Sequence, residues 1–205
     1  MSTPDPATPA PASPAPASPA SPAAQATPAP ASPADPVTLD TLNGWPADLA
    51  QSQLLSCCSS ARWADEVASG RPYRTAEELL ARSDAAVARL DQADLEQALA
   101  GHPRIGAAPT GATSATSAWS QREQAGVRGA DPATIQALAD GNAKYERRFG
   151  HIYLVCATGR SAAELLALLE ERLGHDPGTE WGVVRGELGK INRIRLRRRL
   201  EGGSQ

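Results

Sequence analysis

The feature that most limits the fold is a recurring punctuation of helix starts and stops. Thr75-Ala76-Glu77-Glu78, Ser120-Gln121-Arg122-Glu123 and Ser161-Ala162-Ala163-Glu164 each set a hydroxyl three residues ahead of a glutamate. In that capping-box spacing the two side chains satisfy N–H groups that a helix start leaves open. Asp131-Pro132 adds an acidic cap with proline at the first helical position. Gly101, Gly150 and Gly174 close helical stretches, Gly101 through an expected left-handed cap. Between these marks apolar residues recur at helical spacing: Leu49, Leu54 and Leu55; Val87, Leu90, Leu95 and Leu99; Ile135, Leu138 and Tyr145; Ile191, Ile194 and Leu196. A short helix is expected from Thr75 through Ala81, a new one capped by Ser83 or Asp84, and a last one opening at Thr179 or Glu180. Only Ile152-Tyr153-Leu154-Val155-Cys156-Ala157 is an apolar run of strand length. One strand cannot make a sheet, so the expected class is all-α: one domain of seven or eight helices, with 152–157 extended and without a partner strand.

The domain is expected to occupy residues 37–205. Residues 1–36 contain no Leu, Ile, Val, Phe, Tyr or Trp and hold 12 of the 18 prolines. Such a segment cannot bury enough apolar surface to offset its ordering entropy, so a disordered Pro/Ala/Ser-rich tail is expected. It lacks the basic start and apolar stretch of a secretory signal. The remainder carries all 20 Lys/Arg and 21 of the 23 Asp/Glu, a balance near neutrality that gives no reason to expect nucleic acid as a partner. No apolar run is long enough for a membrane span. Three cysteines, two of them adjacent and none in C-x-x-C, suit neither a disulfide framework nor a zinc site and fit a reducing compartment.

The chemistry-bearing candidates start at Gly101-His102-Pro103. A residue before proline is pushed out of the helical region, so His102 is held extended at a helix end beside a small-residue loop. Its imidazole titrates near neutrality and suits acid/base work, although a histidine at a helix C-terminus is ordinary on dipole grounds. Ser120, Glu123 and Gln124 share a turn that reads first as a cap and second as a polar ligand site at a helix start. Among the arginines of the last helix, Arg195 lies close to the apolar side, where its fork can aim at a carboxylate. His151 and His175 have weaker claims, and the three histidines lack metal-ligand spacing. No phosphate loop is present, because Val184 and Ile191 occupy positions that motif reserves.

Taken together, these strings resemble the 2-oxo-4-hydroxy-4-carboxy-5-ureidoimidazoline (OHCU) decarboxylase family of urate degradation. The matching pieces are Arg71-Pro72-Tyr73, His102-Pro103, Ser120-Gln121-Arg122-Glu123-Gln124, Tyr145 to Gly150 and Lys190-Ile191-Asn192-Arg193-Ile194-Arg195-Leu196, in the family's order. The resemblance implies an all-helical, cofactor-free and metal-free carboxy-lyase that forms (S)-allantoin from OHCU and works as a homodimer. It implies His102 as the acid/base residue with Glu123 as the carboxylate near it. Pro103, Ser120, Gln121, Arg122, Glu123, Gln124, the segment Tyr153, Leu154, Val155, Cys156 and Ala157, and Arg195 are implied substrate contacts. Arg104-Ile105 departs from the acidic residue and leucine that many relatives carry after His-Pro. The C-terminal Gly202-Gly203-Ser204-Gln205 lacks the peroxisomal signal of some relatives, so a cytoplasmic location is expected. A competing expectation is a non-catalytic helical adaptor that uses the tail and the arginine-rich end as contacts.

Overall fold

The capping signals at Thr75, Asp131 and Ser161 each start a helix. The computed structural model describes residues 37–106, 122–127 and 129–201. Within them lie eight α-helices and no strand, as the punctuation predicts. They are α1 (Leu39–Gly44), α2 (Ala47–Leu55), α3 (Ala61–Ser69), α4 (Ala76–Ala88), α5 (Gln92–Ala100), α6 (Pro132–Phe149), α7 (Ala162–Arg172) and α8 (Pro177–Glu201), with a 3-10 turn at Ala125–Val127. The expected tail, residues 1–36, lies outside the described residues.

The caps explain the boundaries. Thr75 accepts from Glu78 N–H at 3.1 Å, and Asp131 accepts from Thr134 N–H at 2.9 Å. Ser161 and Glu164 form a reciprocal box. Such caps contribute about 1 kcal/mol each. Gly150 ends α6 in the left-handed region at φ 79°.

Four expectations are corrected. The helix from Thr75 does not stop at Ala81; α4 runs on to Ala88, because Ser83 is a buried mid-helix residue whose hydroxyl accepts from Trp63 Nε1–H at 3.2 Å. The next helix is capped by Asp91, in a reciprocal box with Asp94. The last helix begins at Pro177, with Asp176 accepting from Gly178 and Thr179 N–H, so Thr179 and Glu180 lie inside it. Gly101 is not left-handed: its φ is −87°. Glycine is needed there for space, since a Cβ would stand 1.9 Å from Ser59 Oγ.

Two apolar cores result. The larger joins α1–α5 to α8 around Trp63, Leu79, Leu95 and Leu188; the smaller lies between α6 and α7 around Leu138, Tyr145, Leu165 and Leu169. The run 152–157 threads between them. Leu154 and Cys156 enter the larger core, while Tyr153, Val155 and Ala157 enter the smaller. This is the two-residue alternation of an extended chain, buried on both faces. The extended segment is therefore present as expected, with no partner strand among the described residues, and its apolar continuity reflects a place between two cores.

The Arg-Pro-Tyr string is architectural. Arg71 donates to Ala68, Leu42 and Trp45 carbonyls, and Tyr73 exchanges backbone hydrogen bonds with the Asn43 amide. Together they tie α1 to the end of α3. No helix of the described residues is long and apolar enough to cross a membrane.

Candidate active site

His102 follows the last turn of α5 and bends back onto it. Its Nδ1 lies 3.0 Å from the carbonyl oxygen of Ala98, four residues earlier. A carbonyl only accepts, so Nδ1 carries the hydrogen and the neutral ring keeps its lone pair on Nε2. Nε2 is buried and has no hydrogen-bond partner among the described residues. Burial is the largest cause that lowers the His102 pKa, and the Arg195 charge adds to it; the Ala98 carbonyl and the Glu123 carboxylate oppose, and the value comes to about 4. At neutral pH the ring is thus an uncharged base, fixed at one edge and, among the described residues, unpartnered at the other.

A cleft lies beside the ring. It is lined by His102, Pro103, Ile105, Glu123, Gln124, Tyr153, Leu154, Val155, Ala157 and Ile191. Four separate segments meet here: the His-Pro loop, the turn before Ala125–Val127, the extended run and α8. Asn142 on α6 fixes the loop by donating to Ile105 O at 2.9 Å. Gln124 clamps it from the other side, accepting from Gly106 N–H at 3.0 Å and donating to Arg104 O at 3.4 Å. Arg104, the residue that departs from the family pattern, forms a fork onto Glu146 of α6, so its basic side chain also pins the loop.

Glu123 does not bond to the histidine. Both its oxygens take the guanidinium fork of Arg195, at 2.7 and 2.8 Å from Nε and Nη2. Arg195 is fully buried, and its third nitrogen donates to Cys57 O at 2.8 Å. The pair is a planar, bidentate contact in a dry setting, where a lone partner would be costly. It sets a negative and a positive group beside the imidazole without neutralising either hydrogen-bonding edge of the ring.

Of the residues singled out in the sequence, His102, Pro103, Glu123, Gln124, Tyr153, Leu154, Val155 and Ala157 come together at the cleft. Arg195 stands behind Glu123. Arg122 is exposed and off the cleft wall, and Cys156 turns its side chain to the larger core. Ser120 and Gln121 lie outside the described residues. Sequence reasoning missed Ile105 and Ile191, which complete the wall, and the Ala98 carbonyl. The last was findable, because a histidine just past a helix end can reach the carbonyl four residues back.

The remaining candidates go elsewhere. His151 lies against Trp181 with ring centres 4.2 Å apart, and His175 bonds to Glu180 at 2.7 Å. Among the described residues, no three His, Cys, Asp or Glu side chains are grouped to hold a metal ion. The arginine-rich end is largely used internally: Arg193 and Arg197 pair with Glu77, Arg193 also with Asp84, and Arg199 is buried against Trp45.

Comparison with known proteins gives a consistent result. A family model described as OHCU decarboxylase matches residues 43–197. The chain is 32% identical over 130 residues to a 2-oxo-4-hydroxy-4-carboxy-5-ureidoimidazoline decarboxylase of Amia calva, covering 62% of this chain and 74% of that protein. It is 29% identical over 153 residues to the uric acid degradation bifunctional protein TTL of Arabidopsis thaliana, covering 73% of this chain but only 47% of the plant protein. The chain thus spans about half the length of that relative. A crystal structure of OHCU decarboxylase in the presence of (S)-allantoin superposes with a TM-score of 0.62 at 26% identity, covering 73% of this chain and 97% of that one. A crystal structure of (S)-allantoin synthase shares the fold at a TM-score of 0.58 and 20% identity, covering 78% of this chain and 53% of that one.

Proposed function

The chain belongs to the OHCU decarboxylase family, and from that premise we propose that it removes CO2 from 2-oxo-4-hydroxy-4-carboxy-5-ureidoimidazoline to leave (S)-allantoin, with His102 as acid and base. The observation that carries the reading is the buried Nε2 of His102, without a partner among the described residues while Nδ1 is fixed, on a side chain that lines a cleft together with Glu123. As the carboxylate leaves, its bonding pair passes into the C=N of the imidazoline ring. Nε2 takes the proton of the 4-hydroxyl and returns it to the neighbouring ring carbon, while a ring nitrogen gains one proton from solvent. The substrate's negative charge favours the charged ring in the complex, and a weakly basic imidazole gives its proton back readily. Because Nε2 is held on one wall, the proton arrives at one face, which yields one enantiomer.

The other residues shape and hold. Glu123 and Arg195 form a fixed polar wall that needs no reorganisation during the reaction. Val155, through its backbone, meets the ureido and carbonyl groups, and Pro103 and Ile105 close the apolar side. Gln124 serves the site by clamping the His102 loop. We assign the enzyme to a homodimer in the cytoplasm; three buried free thiols support a reducing compartment. The adaptor reading loses its main support, since the arginines of α8 that it needed pair within the chain.

The test combines urate oxidase and hydroxyisourate hydrolase with this protein and follows the circular dichroism of the allantoin. Fast formation of the (S) enantiomer is expected. Slow racemic product, unchanged by the protein, overturns the proposal.

A further inference from the structure

The extended run 152–157 has no neighbouring strand among the described residues, yet two of its buried backbone groups are bonded as if it had one. Leu154 C=O accepts from Arg172 Nη1 at 2.7 Å, and Cys156 N–H donates to Glu187 Oε2 at 2.8 Å. In an extended chain these two groups flank Val155 on one edge, and a parallel neighbour would bond that same pair from a single residue. Here a guanidinium from α7 replaces the neighbour's N–H, and a carboxylate from α8 replaces its C=O. Both side chains are themselves fixed. Arg172 is bonded to Glu180 at 2.8 Å through Nε and to the Tyr145 hydroxyl at 3.2 Å, and it stacks over the Tyr153 ring at 4.8 Å. Glu187 receives the Lys190 ammonium at 2.5 Å. Neither residue lines the cleft.

The N–H and C=O of Val155 point to the opposite edge by the same alternation. Val155 lines the cleft, and no hydrogen bond from its backbone to another described residue is present. We propose that Glu187 and Arg172 are positioning residues: the two side chains occupy the closed edge of this segment and so set the direction and depth at which Val155 presents its backbone N–H and C=O to substrate. The inference rests on the decarboxylase reading. It deepens that reading by assigning a role to two charged residues that the sequence did not single out.

Glu187→Gln, Glu187→Asp and Glu187→Ala separate positioning from mere stability. The glutamine keeps an oxygen that accepts from Cys156 N–H; the aspartate keeps the charge but falls short by one methylene; the alanine loses both. With folding checked by circular dichroism and thermal melting, the aspartate and alanine variants are expected to raise KM about tenfold or more, with a smaller fall in kcat, and the glutamine variant to stay within about threefold of wild type. Amide exchange at Val155 to Ala157 is expected to quicken in the same order. Unchanged KM in a folded Glu187→Asp or Glu187→Ala variant overturns the proposal, as does a glutamine variant as impaired as alanine. If the alanine variant does not fold, the aspartate-against-glutamine comparison decides. The exchange measurement keeps this result distinct from the decarboxylase reading: wild type without allantoin formation refutes that reading, whereas equal exchange in all variants refutes the positioning role.

Discussion

A buried neutral histidine ties stability to pH, and the size of the effect follows from its surroundings. His102 has a pKa near 4 in the folded chain against 6.5 for a free imidazole. Between those values the unfolded chain binds a proton that the folded chain refuses, so stability falls as pH drops from about 6.5 toward 4 and is level above. The separation corresponds to roughly 3 kcal/mol in full, and to about 2–3 kcal/mol at pH 4.5, where the folded ring is still mostly neutral. The perturbation is His102→Gln, whose amide can still donate to Ala98 O. The assay is urea unfolding at pH 7 and pH 4.5 for both proteins. Carboxylates held low by their partners, such as Glu66 and Glu146 beside arginines, also lose stability in acid, but they do so equally in both chains and cancel. Wild type is expected to lose about 2–3 kcal/mol more than the variant on acidification. Equal losses refute the placement of a neutral, desolvated imidazole at this site.

Further outcomes follow from the same geometry. The kcat/KM of the wild-type enzyme should stay level from pH 7 to about 5 and fall toward 4, because Nε2 must be unprotonated in the free enzyme; an acid limb centred near 6.5 contradicts this. Glu123→Gln leaves the fully buried Arg195 without its counter-charge. It should cost about 3–5 kcal/mol in urea unfolding, while Glu123→Leu with Arg195→Met recovers most of the stability and none of the activity. Gly101→Ala drives a methyl into Ser59 Oγ and should cost about 1–3 kcal/mol, relieved when Ser59→Gly is added.

The helical class and most helix starts were legible because capping is local. Thr75, Asp131 and Ser161 each act within one turn, and the chain that follows obeys them. Boundaries failed where a distant contact decided. Ser83 looks like a cap, yet it sits inside α4 because Trp63, twenty residues away, needs an acceptor. Gly101 looks like a left-handed stop, yet Ser59 crowds it. The cleft residues were legible through the ordered family strings and through little else, since no local pattern joins residue 102 to residue 123 or 155. Two details were set by tertiary contacts. Glu123 faces Arg195 and leaves the histidine to a carbonyl, because a planar fork matches a buried carboxylate better than one ring nitrogen does. The charged pairs around Arg172 and Glu187 were invisible, because their hydrogen bonds to the extended run go to backbone atoms, which leave no trace in side-chain patterns.

The most direct measurement is the rate and enantiomeric purity of allantoin formed from enzymatically generated OHCU by wild type and by His102→Gln at equal folded concentration. Wild type is predicted to give rapid, optically pure (S)-allantoin, and the variant to fall to the slow, racemic background. A folded His102→Gln that still delivers the single enantiomer at the wild-type rate contradicts the assignment of the Nε2 lone pair as the site's acid and base.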